Sequence, residues 1–400
     1  MLLKEQTMEI RKLQAEDFDA SLELSQFAFQ FQKTEEELKE TKAQMAAEPA
    51  ALWGAYIGES FAAQAAVLEL ETYINGQRFA MGGIAGVATW PEYRRQGLVA
   101  KLLVHMLQDM RSNGQTLSFL HPFAHGFYRK FGWETYTDEK VYTLKTGQLP
   151  PRINYNGRIV RCQNGHEPVR ELYSKYASEY NGTLVRTELW WKYRIAGRKS
   201  GQTAVYYDVH NEPVGYVFYN VKDRKMVVHE LVALTSEARA ALWSFIGQHD
   251  SMFTELTIKA PADDLLPFML SDQRIKQEIT PYTMGRIVDA EAFVAFYPFA
   301  AGAGEDRLLI DLKDEHASWN NGCFELVIQP SGRATLEPWT GTTENEEVLK
   351  LDIGAFSSAL IGYLRPLQLW QLNRLAGKED TIKRLQARIP EQTTYLPDFF

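Results

Sequence analysis

Two stretches of this chain, far apart in sequence, repeat one another. Val87-Ala88-Thr89-Trp90-Pro91-Glu92-Tyr93-Arg94-Arg95-Gln96-Gly97 and Val232-Ala233-Leu234-Thr235-Ser236-Glu237-Ala238-Arg239-Ala240-Ala241-Leu242 share Val, Ala, Glu and Arg at equal offsets. Each closes a meander of strand-like runs. The first meander is Ala51 to Ile57, Ala62 to Ile74 and Phe79 to Thr89; the second is Ala204 to Val209, Val214 to Val221 and Met226 to Leu234. Asn75-Gly76 inside the first is the strongest short hairpin signal in the chain. A degenerate internal duplication follows, which confines the chain to a fold where an antiparallel meander feeds a helix twice. In the second copy Ala240, Ala241 and Leu242 replace Arg95, Gln96 and Gly97, putting a bulky side chain where backbone would approach a phosphate. The second copy is expected to have lost its ligand.

The repeat divides the rest of the chain. Ahead of it come a strand over Glu9 to Leu13, preceded by residues that read as an extension, and two helices, one from Glu16-Asp17 through Phe29 and one over Glu35 to Met45. After Pro91, Leu98, Leu102, His105 and Met106 give Arg94 to Arg111 helical spacing, followed by a strand over Thr116 to Leu120 and a helix over His125 to Phe131. The adjacent prolines of Leu149-Pro150-Pro151 end the unit. A third unit is read from Met284-Gly285 onward, with strands at Arg307 to Leu312, Cys323 to Gln329 and Ala334 to Pro338 and helices at Ile353 to Gly362, Leu367 to Leu375 and Thr381 to Arg388. It forms an α+β layer. Ala301-Gly302-Ala303-Gly304 precedes a strand instead of opening a helix and reads as a loop. The expected units are 1–150, 151–284 and 285–400 of a mixed α+β protein, and 400 residues bury ample core for them.

Composition removes several function classes. At 45% hydrophobic and 24% charged residues the chain is globular and not disordered. Its 43 basic and 51 acidic residues leave a formal charge of −8 with no basic stripe, so nucleic acid is not an expected partner. An acidic balance suits a cationic substrate, although solubility explains it equally well. Cys162 and Cys323 stand far apart, which suggests neither a disulfide framework nor a cysteine metal site and fits a cytoplasmic protein. No apolar run approaches the ~18 residues of a membrane span, so no membrane partner is expected.

The chemistry concentrates at the first repeat. A strand ending in a tight turn at a helix N-terminus aims unpaired amides and a positive dipole end at one point, a geometry suited to a pyrophosphate. Arg94 and Arg95 add charge, and Gly97 removes the side chain that would block backbone approach. An ordinary helix start with basic residues is the plain alternative.

Here the sequence resembles the GNAT superfamily of N-acetyltransferases, whose signature reads Arg or Gln, two residues, Gly, one residue, then Gly or Ala. Arg94 and Gly97 match; Val99 departs from the last position, with Ala100 just beyond. A duplicated GNAT fold, a third unit like the sterol carrier protein fold and an aromatic C-terminus together resemble the Eis family (enhanced intracellular survival), over essentially the whole chain. The resemblance implies acetyl-CoA as co-substrate and no metal. It implies that Val87, Ala88 and Thr89 receive pantetheine and the acetyl carbonyl, and that Arg94, Arg95, Gln96, Gly97, Leu98, Val99 and Ala100 hold the pyrophosphate. Phe127-Tyr128-Arg129-Lys130-Phe131-Gly132 matches the family motif carrying a tyrosine general acid, which points to Tyr128. The terminal carboxylate that the family uses as base would belong to Phe400, after Asp398 and Phe399, so the C-terminus would fold back into the first unit. The resemblance further implies that His121 and Asp398 belong to the substrate pocket, and Phe27, Phe29 and Phe31 to an aromatic wall. A homo-hexamer is also implied.

Acetyl transfer needs a neutral amine, a stabilised oxyanion and a proton for the departing thiolate, and the chain offers a candidate for each. The plain alternatives are a core tyrosine at 128, a frayed terminus at 400 and core packing for the phenylalanines. Against fraying, Leu396-Pro397-Asp398-Phe399-Phe400 is apolar enough to be buried. His121 and His125 have metal-pair spacing, but Pro122 disfavours a helix between them and no cluster completes a ligand set. Trp190 and Trp191 read as packing residues. The expected activity is N-acetylation of primary amines on polycationic small molecules, aminoglycoside-like, at several positions. The alternatives are acetylation of protein or peptide lysine, and a non-catalytic lipid carrier built on the third unit.

Overall fold

Asn75 and Gly76 both adopt positive φ, 48° and 75°, the backbone twist that a two-residue hairpin turn requires. They join the strands Ser60–Ile74 and Gln77–Thr89, with Ile74 opposite Gln77. A computed structural model describes residues 7–162, 167–344 and 347–400; the six residues that open the expected N-terminal extension lie outside the described residues.

The first unit runs β1 Met8–Lys12, α1 Phe18–Phe29, α2 Glu35–Ala47, β2 Ala50–Ile57, β3 Ser60–Ile74, β4 Gln77–Thr89, α3 Leu98–Ser112, β5 Leu117–Leu120, α4 His125–Arg129 and β6 Glu134–Lys145. The second runs β7 Arg158–Cys162, α5 Glu167–Ala177, β8 Gln202–Tyr207, β9 Pro213–Lys222, β10 Lys225–Ala233, α6 Ser236–Gly247, β11 Glu255–Ala260 and β12 Lys276–Ile287. One 12-stranded sheet holds both, in the order β1-β2-β3-β4-β5-β12-β6-β11-β10-β9-β8-β7. Each unit therefore lends a strand to the other: β12 lies antiparallel between β5 and β6, while β6 pairs with β11. The expected 284/285 boundary falls within β12, where Met284 faces Leu120 and Gly285 faces Phe119.

One face of the sheet is covered separately in each unit. On α3, Leu98, Leu102, Met106 and Met110 recur every fourth residue, with Leu103 and Leu107 beside them, and all are buried. Each such side chain contributes about 1.5–3 kcal/mol by leaving water. Ala238, Ala241, Leu242 and Ile246 do the same for α6. On the opposite face a single core spans both units and continues into the third.

The third unit comprises α7 Ala290–Phe296, β13 Asp306–Lys313, β14 Gly322–Ile328, β15 Ala334–Pro338, β16 Val348–Asp352, α8 Ile353–Ile361, α9 Pro366–Gln371, β17 Leu375–Ala376 and α10 Glu379–Arg388. Its sheet has the order β15-β14-β13-β16-β17, and α8 is buried along its whole length. Residues 301–304 form the loop the sequence suggested, ahead of β13. A buried cluster joins all three units: Arg286 on β12 bonds Asp314 and the Phe131 carbonyl, and Asn320 donates to Asp314 at 3.0 Å.

Two details of the repeat differ from expectation. The first helix begins at Leu98, not Arg94, because Arg95 (φ 63°) and Gly97 (φ 77°) take left-handed conformations that a helix cannot contain. The second helix begins at Ser236, so Ala240, Ala241 and Leu242 lie inside α6 instead of filling a turn. The second copy lacks the long turn altogether, and Thr235 caps α6 by accepting from the Ala238 amide at 3.1 Å.

Candidate active site

The site forms where two strands part. β4 and β5 run parallel and pair from Met81↔Leu117 to Ile84↔Leu120, where β5 ends. β4 continues five residues further, to Thr89, through a bulge against β3 that falls between the pairs Ala66↔Ala85 and Gln64↔Ala88. Gly86 makes the bulge with φ 60°, a conformation that favours glycine. Val87, Ala88 and Thr89 therefore follow a kinked strand beyond the end of its parallel neighbour, opening a wedge between β4 and the segment after Leu120. Backbone amides at such a wedge can bind an extended amide-bearing ligand, as a further strand would.

The wedge leads into the turn. Residues 91–93 form one 3-10 turn, after which Arg94, Arg95, Gln96 and Gly97 are exposed. Arg94 Nε donates to the Thr89 carbonyl at 3.4 Å and Gln96 Nε2 to the Glu92 carbonyl at 3.2 Å, closing the turn on itself. Gly97 is the N-cap of α3 and no side chain caps the helix, so its first amides point outward with the positive end of the dipole. A Cβ on Gly97 would meet nothing within 4 Å, so the left-handed φ, and not close packing, requires glycine there. Leu98 is buried, while Val99 and Ala100 pack half-buried against the first-unit core.

The C-terminus reaches this wedge from the other side. The Phe400 ring is 7% exposed, and a Cβ built on Gly83 would approach it at 3.1 and 3.2 Å. Gly83 immediately precedes the last β4–β5 pair. His121, directly after β5, packs against Phe399 and Phe400 with ring centroids 4.3 and 5.1 Å away, and against Tyr282 of β12 at 5.1 Å. The structure thus brings His121, Phe399 and Phe400 together beside β4.

Tyr128 lies on α4, with Phe123, Phe127 and Trp133 as its ring neighbours. It is 2% exposed, and burial pushes its phenol well above the ordinary value, so it is protonated at neutral pH. Phe27 packs at a tilt against Trp90, just beyond β4, with centroids 4.9 Å apart, and remains half exposed. Phe29, two residues on along the same helix, points to a different face, and Phe31 lies past the helix end near Lys33. The alternation reads as one wall only in an extended chain; on a helix it divides.

Asp398 is not open to an acceptor. Its oxygens accept from Arg186 Nε at 3.1 Å, Trp190 Nε1 at 3.0 Å and the Tyr173 hydroxyl at 3.2 Å. Arg186 also pairs with Glu230, which Lys199 bonds and to which the Tyr216 hydroxyl donates at 2.7 Å. A carboxylate excluded from water this completely has to be paired. Lys199 holds the Pro397 carbonyl at 3.1 Å. None of Arg186, Lys199 and Glu230 stood out in the sequence, because they are single residues brought together only by the fold.

A cavity of about 250 Å³ lies alongside, between β10, β11 and the tail, lined in part by Val227, Ile258, Lys259 and Phe399. It sits where β10 and β11 part after Val228↔Ile258, the second unit's counterpart of the wedge. His121 and His125 do not form part of a metal-holding group of three or more ligands among the described residues.

Three stretches of the chain match models of known domains. Residues 9–136 match a model of an acetyltransferase (GNAT) domain, 182–287 a second such domain and 290–397 a sterol carrier protein domain. The N-acetyltransferase Eis of Mycobacterium tuberculosis is 26% identical over 368 residues, 86% of this chain and 87% of its own. A protein of solved structure from Enterococcus faecalis V583 superposes with a TM-score of 0.92 at 28% identity, covering 98% of this chain and 100% of its own. Eis1 from Mycobacterium abscessus shares the fold over 98% of this chain and 100% of its own, with a TM-score of 0.80 at 20% identity.

Proposed function

The chain belongs to the Eis-like N-acetyltransferases of the GNAT superfamily, and on that premise we propose that it transfers acetyl from acetyl-CoA to primary amines of a polycationic, aminoglycoside-like small molecule. The observation that carries the mechanistic reading is the burial of Phe400 against Gly83, at the point where β4 and β5 separate.

The exposed turn Arg94 to Gly97 and the uncapped N-terminus of α3 offer positive charge and free amides to a pyrophosphate. The kinked end of β4, Val87 to Thr89, offers amides to pantetheine and to the carbonyl oxygen that gains charge during transfer. The carboxylate of Phe400 takes the proton from the substrate ammonium, directly or through water, so that a neutral amine attacks. Tyr128, kept protonated by burial, gives its proton to the departing sulfur. The attacking nitrogen loses its second proton as the amide forms, that proton restores the phenol directly or through water, and the Phe400 carboxyl releases the first to solvent, so one proton leaves for each ammonium acetylated. Phe27 with Trp90 forms an apolar flank at the end of β4 against which an acceptor can rest.

The test is the steady-state rate of a chain with one glycine added after Phe400, beside Tyr128→Phe. Both are expected to lose activity by roughly 100-fold or more, within the range of general acid–base contributions. Full turnover in the extended chain refutes the assignment of the base; full turnover in Tyr128→Phe refutes that of the acid.

A further inference from the structure

The second unit has lost the turn that would bind a phosphate, yet it carries a desolvated four-charge cluster of Arg186, Lys199, Glu230 and Asp398. The side chains of Arg186, Glu230 and Asp398 are 0%, 3% and 1% exposed. Arg186 also lies in the corner formed by the perpendicular rings of Tyr173 and Trp191, 3.7 and 4.8 Å from their centroids. Such clusters are costly to bury and add little net stability compared with apolar packing. Its position is informative. Two residues beyond Asp398, Phe400 lies on Gly83, and one residue before it Lys199 holds the Pro397 carbonyl. Further back, Asn181 accepts from the Tyr395 amide and donates its own to the Thr393 carbonyl, both at 2.9 Å. The same segment is bonded to the first unit, Gly182 to the Tyr73 carbonyl at 2.7 Å and Val185 to the Glu71 carbonyl at 2.9 Å. Arg186 therefore stands next to a stretch fixed to β3, the strand that flanks β4.

We infer that Arg186, braced by Glu230 and Lys199, is a positioning residue that acts through Asp398: by fixing Asp398 relative to β3 and β4, it sets where the carboxylate of Phe400 stands. This inference rests on the reading of that carboxylate as the base. The second unit then serves as the holder of a catalytic group that the first unit uses. Arg186 is suited to the role because its planar guanidinium engages two carboxylates at once while resting against aromatic rings. Its two cations and two carboxylates pair with one another inside the cluster, which makes it a fixed frame for the tail.

The experiment is a double-mutant cycle on the full chain: Asp398→Asn alone, one glycine added after Phe400 alone, and both together. Asp398→Asn keeps side-chain size and gives up the charge that Arg186 grips. It is expected to lower kcat by roughly 10- to 100-fold, the effect of misplacing a reacting group by about 1 Å, with the KM for acetyl-CoA within about twofold. In the extended chain, whose terminus is already displaced, adding Asp398→Asn is expected to change kcat by less than about twofold. If the losses instead multiply, Asp398 acts independently of the terminus and the positioning role is refuted while the base survives. If the glycine alone leaves kcat unchanged, the base reading fails and this inference with it. Trp190→Phe, which removes one N–H donor to Asp398 and keeps the packing, repeats the cycle should Asp398→Asn fail to fold. A several-fold fall in kcat that disappears in the extended chain supports the inference, and a fall in the KM term alone opposes it.

Discussion

Gly83→Ala separates activity from stability at the centre of the site. Gly83 has no left-handed φ, so its backbone accepts alanine. The added Cβ would meet Leu70 Cδ1 at 2.9 Å and the Phe400 ring at 3.1 and 3.2 Å. Leu70 can turn its terminal methyl aside, and the ring must then recede by a few tenths of an ångström. Overpacking a core costs about 1–3 kcal/mol, while replacing a glycine at a compatible position returns about 0.4–1 kcal/mol through the unfolded chain. The net loss is therefore about 0–2.6 kcal/mol, well within the stability of a protein this size. The displaced ring carries the terminal carboxylate with it, and kcat is expected to fall about tenfold, equivalent to roughly 1.4 kcal/mol of barrier. Thermal unfolding and thiol release from acetyl-CoA, measured on the same preparation, give the two numbers. A variant with shifted thermal midpoint and unchanged kcat would refute the reasoning, because it would show the position of Phe400 to be irrelevant to turnover.

Asp314→Ala leaves Arg286 buried without its carboxylate, and unfolding in denaturant should show a loss of about 3–5 kcal/mol. Thr235→Ala removes the cap of α6 and should cost about 1 kcal/mol by the same measurement, without affecting acetyl-CoA affinity. Burial favours the neutral form of Glu230, but Arg186 and Lys199 together overcome it and hold the carboxyl at about 2 against an ordinary 4.5. Its folded-state pKa is lowered, so its contribution to stability is present above pH 4.5 and lost as pH falls toward 2. Denaturant midpoints across that window should fall less steeply in Glu230→Gln. Phe27→Ala should raise the acceptor KM several-fold and leave that of acetyl-CoA unchanged, as steady-state kinetics would show.

The parts of the fold that the sequence made legible are those governed by local rules. The Asn75-Gly76 turn, the meander it closes and the amphipathic spacing of α3 each depend on residues adjacent in the chain. β6 and β12 were not legible: β6 carries Asp138, Glu139 and Lys140 in its middle, and its partners lie in the other unit. Charged residues there are tolerated because their partners come from afar, as when Tyr363 donates to Asp138 at 2.9 Å and Lys140 donates to the Ala262 carbonyl at 3.0 Å. The start of α3 was misplaced because composition cannot reveal that Arg95 adopts positive φ. At the site, the turn and the motif around Tyr128 were readable as contiguous patterns. The apolar ending pointed to burial of Phe400, and its return to the first unit was implied only by the family resemblance. Arg186, Glu230 and Lys199 were unreadable because they meet only in the fold, where Arg186 reaches Asp398 from 212 residues away along the chain.

The account stands on acetyl transfer to an amine, and the most direct measurement is thiol release from acetyl-CoA with the unextended chain, against aminoglycosides, polyamines and lysine peptides, with mass spectrometry of each product. Acceptor-dependent release with an aminoglycoside, and products carrying more than one added acetyl, is the predicted result. Release confined to lysine peptides would contradict the substrate class, and no acceptor-dependent release with any amine at high enzyme concentration would contradict the mechanism itself.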